Sequence, residues 1–156
     1  MDLVPFRRIA VAIDGSETAS AALTVAIDLA KRYSADLLVV AVAPLPPVFS
    51  SPSEPLVPAA VPSDPVPHYR ELVEAAVAQA RSAGVTSVTG VCEEGVVVEE
   101  VLGQIAAHRS DLLVVGSRGL SAARRLLLGS VSTALVTHAP APVLVVRPPT
   151  KLEGSS

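Results

Sequence analysis

The stretch RIAVAIDGS, residues 8–16, determines how the rest of the chain is interpreted. A short apolar run follows Arg8 and ends at Asp14, and Gly15 and Ser16 then have the composition of a turn. An apolar run that enters such a turn is typical of a central, buried strand. After Ser16, apolar residues recur every three or four positions, which predicts an amphipathic helix. These residues are Ala19, Ala22, Leu23, Ala26, Ile27 and Ala30.

The strand-then-helix unit recurs along the chain. Further strands are predicted at residues 37–43, 85–92, 111–115 and 142–146, and further helical stripes begin at Tyr69, Val98 and Val131. Strict alternation of this kind predicts an α/β fold: a five-stranded parallel sheet with helices on both faces, Rossmann-like in its layers.

Two segments do not fit the alternation. Residues 44–67 hold nine of the fourteen prolines, a density that no helix or strand tolerates, so we expect a long irregular loop of unknown role. Residues 149–156 are expected to be an unstructured tail. The sequence therefore predicts a single domain over residues 1–148 with one Pro-rich insertion.

The composition excludes several classes of protein. Of the 156 residues, 50% are hydrophobic but only 3% are aromatic, which favours helices packed on a buried parallel sheet over a sandwich or barrel. A net charge of −3 argues against a nucleic-acid binder. Cys92 is the only cysteine, and neither a signal peptide nor a membrane-spanning run is visible. We therefore expect a cytoplasmic protein with no membrane or nucleic-acid partner.

The stretch GSRGLSAARRLLLGS, residues 116–130, is the candidate site. It contains three glycines, three arginines and no carboxylate, and no Asp or Glu occurs from residue 112 to residue 151. Ligands of open parallel sheets bind beyond the carboxyl ends of the strands, where this stretch would meet Asp14 and Val42. Gly116 would let the backbone approach a ligand, and Ser130 would cap a helix whose N-terminal N–H groups suit a phosphate.

The glycine spacing separates this site from the commoner phosphate motifs. The chain has neither a P-loop nor a Gly-x-Gly-x-x-Gly after its first strand. The spacing Gly116-x2-Gly119-x9-Gly129-Ser130 instead resembles the ATP-binding signature of the universal stress protein family. The segments at residues 10–16 and 141–146 are also similar to that family, and the resemblance covers residues 8–148.

The resemblance implies an ATP site at the edge of the sheet. The main chain at Ala12 and Val42 would contact adenine, and Asp14 would face the ribose and phosphates, directly or through a metal ion. The residues that would surround the ribose and phosphates are Gly116, Ser117, Arg118, Gly119, Gly129, Ser130, Val131 and Ser132. It also implies Mg²⁺ or Mn²⁺ held mainly by the phosphates, and a homodimer through residues 143–146.

The sequence offers three candidate functions, of which the third fits poorly. The first is an ATP-loaded dimeric switch or sensor in the stress response, which signals to an unknown protein partner. The alternative is a slow ATPase or self-phosphorylating protein with Ser130 or Ser132 as acceptor, although no base or arginine finger for rapid phosphoryl transfer is evident. The third, a receiver-like domain, would need an acidic cluster where Asp14 stands alone and a lysine where Arg147 follows the last strand.

Overall fold

The computed structural model describes residues 5–45, 64–118 and 128–148. The strands are β1 (Arg8–Ala12), β2 (Asp36–Pro44), β3 (Val88–Gly95), β4 (Leu112–Gly116) and β5 (Val143–Val146). The helices are α1 (Glu17–Tyr33), α2 (Val66–Ala83), α3 (Val97–His108) and α4 (Ser130–His138). Most of the predicted Pro-rich loop and the predicted tail lie outside the described residues. Both ends of the predicted loop are wrong, because Pro44 belongs to β2 and Val66 begins α2.

The five strands form one parallel sheet in the order β3-β2-β1-β4-β5. The predicted α/β architecture is confirmed. The chain adds β2 and β3 on one side of β1 and then crosses to the other side for β4 and β5. The strand order therefore reverses between β1 and β4, and the carboxyl ends of these two strands flank the crevice in which such sheets bind ligands.

Small and branched apolar residues form a core on each face of the sheet. Helices α1 and α2 cover one face, where Ala22, Ala26 and Ala80 pack against β1 and β2. Helices α3 and α4 cover the other face through Val101, Ile105 and Leu135. The helices approach the sheet closely because the side chains between them are mostly small, such as alanine and valine, and not aromatic. Within the described segments, no helix combines the length and the apolar character that a bilayer crossing requires.

The third strand lies three residues later than the sequence predicts. Val85, the first residue of the predicted strand, donates its N–H to Ala80 O at 3.1 Å and buries its side chain beside α2. It therefore belongs to the closure of that helix, whose C-cap Gly84 has a φ of 106°. The strand begins at Val88 and runs on to Gly95, which pairs with Pro44.

Two glycines give a matched test of this packing. A Cβ at Gly90 would lie 2.5 Å from Val73 Cγ1 and 2.8 Å from Val77 Cγ2, whereas a Cβ at Gly103 in α3 would meet nothing within 4 Å. We expect Gly90→Ala to lower the free energy of unfolding by about 1–3 kcal/mol through overpacking. Gly103→Ala should raise it by about 0.5–1 kcal/mol, because alanine favours a helix. Urea titration measures both, and equal effects would contradict the close contact of α2 with β3.

Candidate functional site

The central strand ends before its neighbours, and this exposes main-chain groups of β2. Asp36 N donates to Arg7 O and Ile13 N donates to Val40 O, both at 2.9 Å, so even-numbered residues of β2 direct their main-chain polar groups toward β1. Alternation places the N–H and C=O of Val42 on the same side. β1 pairs only as far as Ala12 opposite Val40, so these two groups of Val42 point into the crevice beyond its end.

The turn after β1 places a carboxylate at the crevice. Asp14 Oδ1 accepts the N–H of Ser16 at 2.9 Å, and Gly15 between them has a φ of 83°. Ser16 is the N-cap of α1, since its Oγ accepts from Ala19 N at 3.2 Å. The Asp-Gly-Ser sequence is therefore a turn and helix cap, and Ser16 is buried in that role.

Gly116 packs against the first turn of α1. A Cβ at this position would lie 2.7 Å from both the carbonyl carbon and the Oγ1 of Thr18, and 2.9 Å from Ala19 N. The sequence predicts glycine here for the close approach of a ligand, but the contact that the structure shows is with helix backbone. The Thr18 hydroxyl then donates to Arg118 O, so α1 also fixes the chain as it leaves β4.

Main-chain hydrogen bonds join the described ends of the glycine-rich stretch 116–130. Ser117 N donates to Val146 O of β5 at 2.9 Å, and Ser117 O accepts from Gly129 N at 2.8 Å. The buried Ser132 hydroxyl donates to Gly116 O at 2.6 Å. Residues 119–127 lie outside the described residues, and with them the prediction for Gly119. The described residues on either side of them, Ser117 and Gly129, are held together by the hydrogen bond between Gly129 N and Ser117 O.

The N-terminus of α4 faces the crevice without a side-chain cap. Its N-cap is Gly129, with φ −60° and ψ 157°, so the prediction that Ser130 caps the helix is wrong. Because Gly129 N is already bonded to Ser117, the N–H groups that the helix leaves for an anion are those of Ser130, Val131 and Ser132. The first turn carries no acidic residue, which keeps the positive end of the helix dipole uncompensated.

Helix α4 presents to the core only part of the face that the sequence predicts. Leu135 of the predicted stripe is buried, but Val131 is 38% exposed and Ser132 is buried in its place. Ser132 occupies the core-facing position because its hydroxyl bonds to Gly116 O. His138 lies in the last turn of α4.

Sequence reasoning missed two side chains at this end of the sheet, Thr18 and Tyr69. Thr18 follows a predicted turn, where a hydroxyl residue is common and gives little signal. Tyr69 was assigned only to an apolar stripe. Burial raises the pKa of the Tyr69 phenol, and the negative charge of Asp14 raises it further. On β3, the pKa of the Cys92 thiol is also raised, again mainly by burial, so this thiol stays protonated near neutral pH.

A cavity of about 490 Å³ lies at the opposite, amino-terminal edge of the sheet. Arg7, Arg8 and Arg109 line it together with Asp36 and Asp111. The Asp111 carboxylate accepts hydrogen bonds there from the backbone N–H groups of Arg7 and Arg8, at 2.9 and 3.1 Å. The C-termini of α1 and α3 end beside it, so the helix dipoles present their negative ends. This cavity is less suited to phosphate than the N-terminus of α4.

The two serines at the start of α4 make a matched pair for mutation. We expect Ser132→Ala to lower the free energy of unfolding by about 1–2 kcal/mol, because Gly116 O loses a buried donor. Ser130→Ala should change it by less than about 0.5 kcal/mol, since this exposed side chain caps nothing. Urea titration measures the stability of both variants. Tryptic mapping of any phosphate incorporated from ATP tests whether either serine is a phosphate acceptor. Equal stability of the two variants would contradict the hydrogen bond between the Ser132 hydroxyl and Gly116 O.

Solved structures of universal stress proteins share this fold. The UspA protein from Lactobacillus plantarum is 25% identical, with a TM-score of 0.67 over 93% of this chain and 100% of that chain. A universal stress protein in complex with cAMP is 24% identical, with a TM-score of 0.69 over 92% and 98%. A third, from Archaeoglobus fulgidus in complex with dAMP, is 18% identical, with a TM-score of 0.65 over 92% and 99%.

Sequence comparisons extend the likeness over the whole domain. A putative universal stress protein of Staphylococcus haemolyticus is 34% identical over 146 residues, 93% of this chain and 87% of the relative. A universal stress protein of Thermus aquaticus is 36% identical over 144 residues, 91% of this chain and 99% of the relative. The family model for universal stress proteins matches residues 5–147. The chain therefore belongs to the universal stress protein family.

Proposed function

We propose that the protein binds ATP in the crevice at the carboxyl end of β1 and β4, and that it acts as a nucleotide-loaded sensor rather than as an efficient enzyme. The main-chain groups of Val42 beyond the end of β1 are the observation that carries this proposal. They lie at the same edge as Asp14 and the uncapped N-terminus of α4. One edge of the sheet thus offers groups suited to a base, a sugar and phosphates.

The Val42 main chain matches adenine better than guanine. A strand N–H beside a strand C=O is a donor next to an acceptor. Adenine presents the complement, an acceptor at N1 beside the N6 amino donor, whereas guanine presents an acceptor at O6 beside a donor at N1. Guanine would set donor against donor and acceptor against acceptor, which leaves buried polar groups unpaired.

The phosphates would lie at the N-terminus of α4. The N–H groups of Ser130, Val131 and Ser132 point toward them, and the helix dipole favours negative charge at this end. Among the described residues, no group of three or more His, Cys, Asp or Glu side chains is placed to hold a metal ion. A divalent cation such as Mg²⁺ or Mn²⁺ would therefore be held mainly by the phosphates, with Asp14 as the nearby carboxylate.

Two of the proteins with this fold are in complex with cAMP and with dAMP. For this chain the likeness supports adenine as the base. The triphosphate rests on the Gly116-x2-Gly119-x9-Gly129-Ser130 spacing and on the chain's own α4 amides.

A path from the nucleotide to the surface of the protein supports a role as a sensor. Ser117, the first residue after β4, donates its N–H to Val146 O at the end of β5. β5 is an edge strand, and its Leu144 is 38% exposed. Exposed apolar edge strands tend to be paired, and we propose that β5 forms a homodimer. Phosphates bound at the N-terminus of α4 would then act through Ser117 on the strand that pairs the subunits. We expect this to occur in the cytoplasm, where Cys92 stays reduced.

Nucleotide selectivity gives the first test. We expect ATP with Mg²⁺ to bind about tenfold or more tightly than GTP in calorimetric titrations, because guanine reverses both hydrogen bonds at Val42.

Gly129→Val should abolish ATP binding by placing a branched side chain beside the phosphates. Its φ of −60° accommodates valine, so circular dichroism should show an intact fold. Gly103→Val, on the exposed face of α3, is the matched control and should bind ATP as the parent does. The proposal would be overturned if the parent protein bound ATP and GTP with equal affinity, or if it bound neither nucleotide.

Assembly gives the second test. Leu144→Glu places a charge on the exposed edge of β5, and we expect it to convert a dimer into a monomer in sedimentation velocity runs at micromolar concentration. Val96→Glu is the control, because Val96 is 52% exposed but lies on the far side of the sheet beside β3. A parent protein that sediments as a monomer, or two variants that behave alike, would exclude β5 as the dimer edge.

A further inference from the structure

Tyr69 stands at the same edge of the sheet as the proposed nucleotide. Helix α2 starts at the carboxyl end of β2 and runs back along the sheet, so its first turns lie beside the turn after β1. The contact is direct: a Cβ at Gly15 would lie 3.3 Å from Leu72 Cδ1. Tyr69 precedes Leu72 by three residues and therefore shares its helix face. This places Tyr69 one turn closer to the open end of the crevice, next to Asp14.

The electrostatics agree with that placement. The negative charge of Asp14 contributes to raising the pKa of the Tyr69 phenol, after the larger effect of burial. The His68 ring packs edge-on against the Tyr69 ring, with centroids 5.5 Å apart, and limits how the ring can turn. Within the described residues Asp14 accepts from Ser16 N and forms no hydrogen bond with the Tyr69 hydroxyl. The packing of Leu72 on Gly15 and the influence of the Asp14 charge thus place a donor and an acceptor at the same end of the sheet, and the two are not bonded to each other.

The group that completes such a pair is an alcohol. An alcohol donates its hydrogen to a carboxylate while it accepts one from a phenol. A phosphate would be repelled by Asp14, and the N1 and N6 edge of adenine is already engaged by the Val42 main chain in the proposed site. On a ribonucleotide the alcohols are the ribose 2′- and 3′-hydroxyls.

We propose that Tyr69 and Asp14 together recognise a ribose hydroxyl of the bound nucleotide, so that Tyr69 is a specificity-determining residue that favours ribonucleotides over deoxyribonucleotides. The inference rests on the proposed function, since it places the sugar of the same ATP. It assigns to α2 a part in the site that the glycine motif does not include.

Removal of one hydroxyl at a time tests the pair. The nucleotide-free protein is titrated calorimetrically with ATP, 2′-deoxyATP and 3′-deoxyATP in the presence of Mg²⁺. We expect the parent to bind ATP about three- to tenfold more tightly than one of the deoxy analogues, the range that one hydrogen bond gives. Tyr69→Phe should weaken ATP by that factor and leave that analogue unchanged, so that the preference disappears.

The chain supplies its own control, because it has only two tyrosines and no tryptophan. Tyr33 is 42% exposed at the end of α1, at the other edge of the sheet, where it packs against Phe6. Tyr33→Phe should leave all three affinities unchanged. In the Tyr33→Phe background, absorbance at the phenolate band follows Tyr69 alone, and adding Asp14→Asn should lower the Tyr69 pKa without returning it fully to its ordinary value.

The outcomes separate the two proposals. If the parent binds none of the three nucleotides, the proposed function fails and the ribose assignment fails with it. If the parent binds ATP but Tyr69→Phe keeps the same ratio of ATP to deoxy affinities, the role of Tyr69 alone is overturned. An unchanged Tyr69 pKa in the Asp14→Asn variant would likewise contradict the pairing, whatever the nucleotide affinities.

Discussion

The early end of β1 is the constraint on which the site depends. β1 pairs with β2 only up to Ala12 opposite Val40, and with β4 only up to Val114, while both neighbours continue toward the same edge. Beyond the end of β1, the main-chain groups of β2 and β4 that a longer strand would have paired border a crevice. The chain reverses its direction of strand addition at this point, so no crossing helix covers the gap. A longer central strand would fill the crevice and form backbone hydrogen bonds with β2 and β4 there.

Hydrogen bonds around the crevice make it a defined surface rather than the open end of a sheet. Thr18 holds Arg118, Ser117 bonds to both Gly129 and Val146, and Ser132 supports Gly116. Each is worth about 0.5–1.5 kcal/mol net, and their joint effect is to fix the direction of α4. The three amides at its N-terminus are thereby pre-organised, which reduces the entropic cost of binding an anion. Through Ser117 the same bonds connect the end of β4 and the start of α4 to the edge strand β5.

The sequence predicted the fold well because its signals are local. Apolar runs, helical stripes and their alternation identified every strand and helix in the described parts of the chain. Among these strands β3 is displaced most, because the apolar Val85 belongs to the closure of α2 and not to the strand. The site was predicted less completely. Glycine spacing cannot distinguish a glycine that meets a ligand from one that meets a helix, and Gly116 meets the backbone of Thr18. Thr18 is separated in sequence from the motif that it contacts, and Tyr69 is separated from Asp14, so only the packing of α1 and α2 shows their positions.

Backbone amide chemical shifts, followed by NMR while Mg²⁺-ATP is added to the ¹⁵N-labelled protein, test the location of the site most directly. Binding at the carboxyl edge predicts the largest shifts at Val42 and at Ser130, Val131 and Ser132, with little change at the amino edge. Shifts concentrated at Arg7, Arg8 and Arg109 would place the nucleotide in the opposite cavity and contradict the site described above.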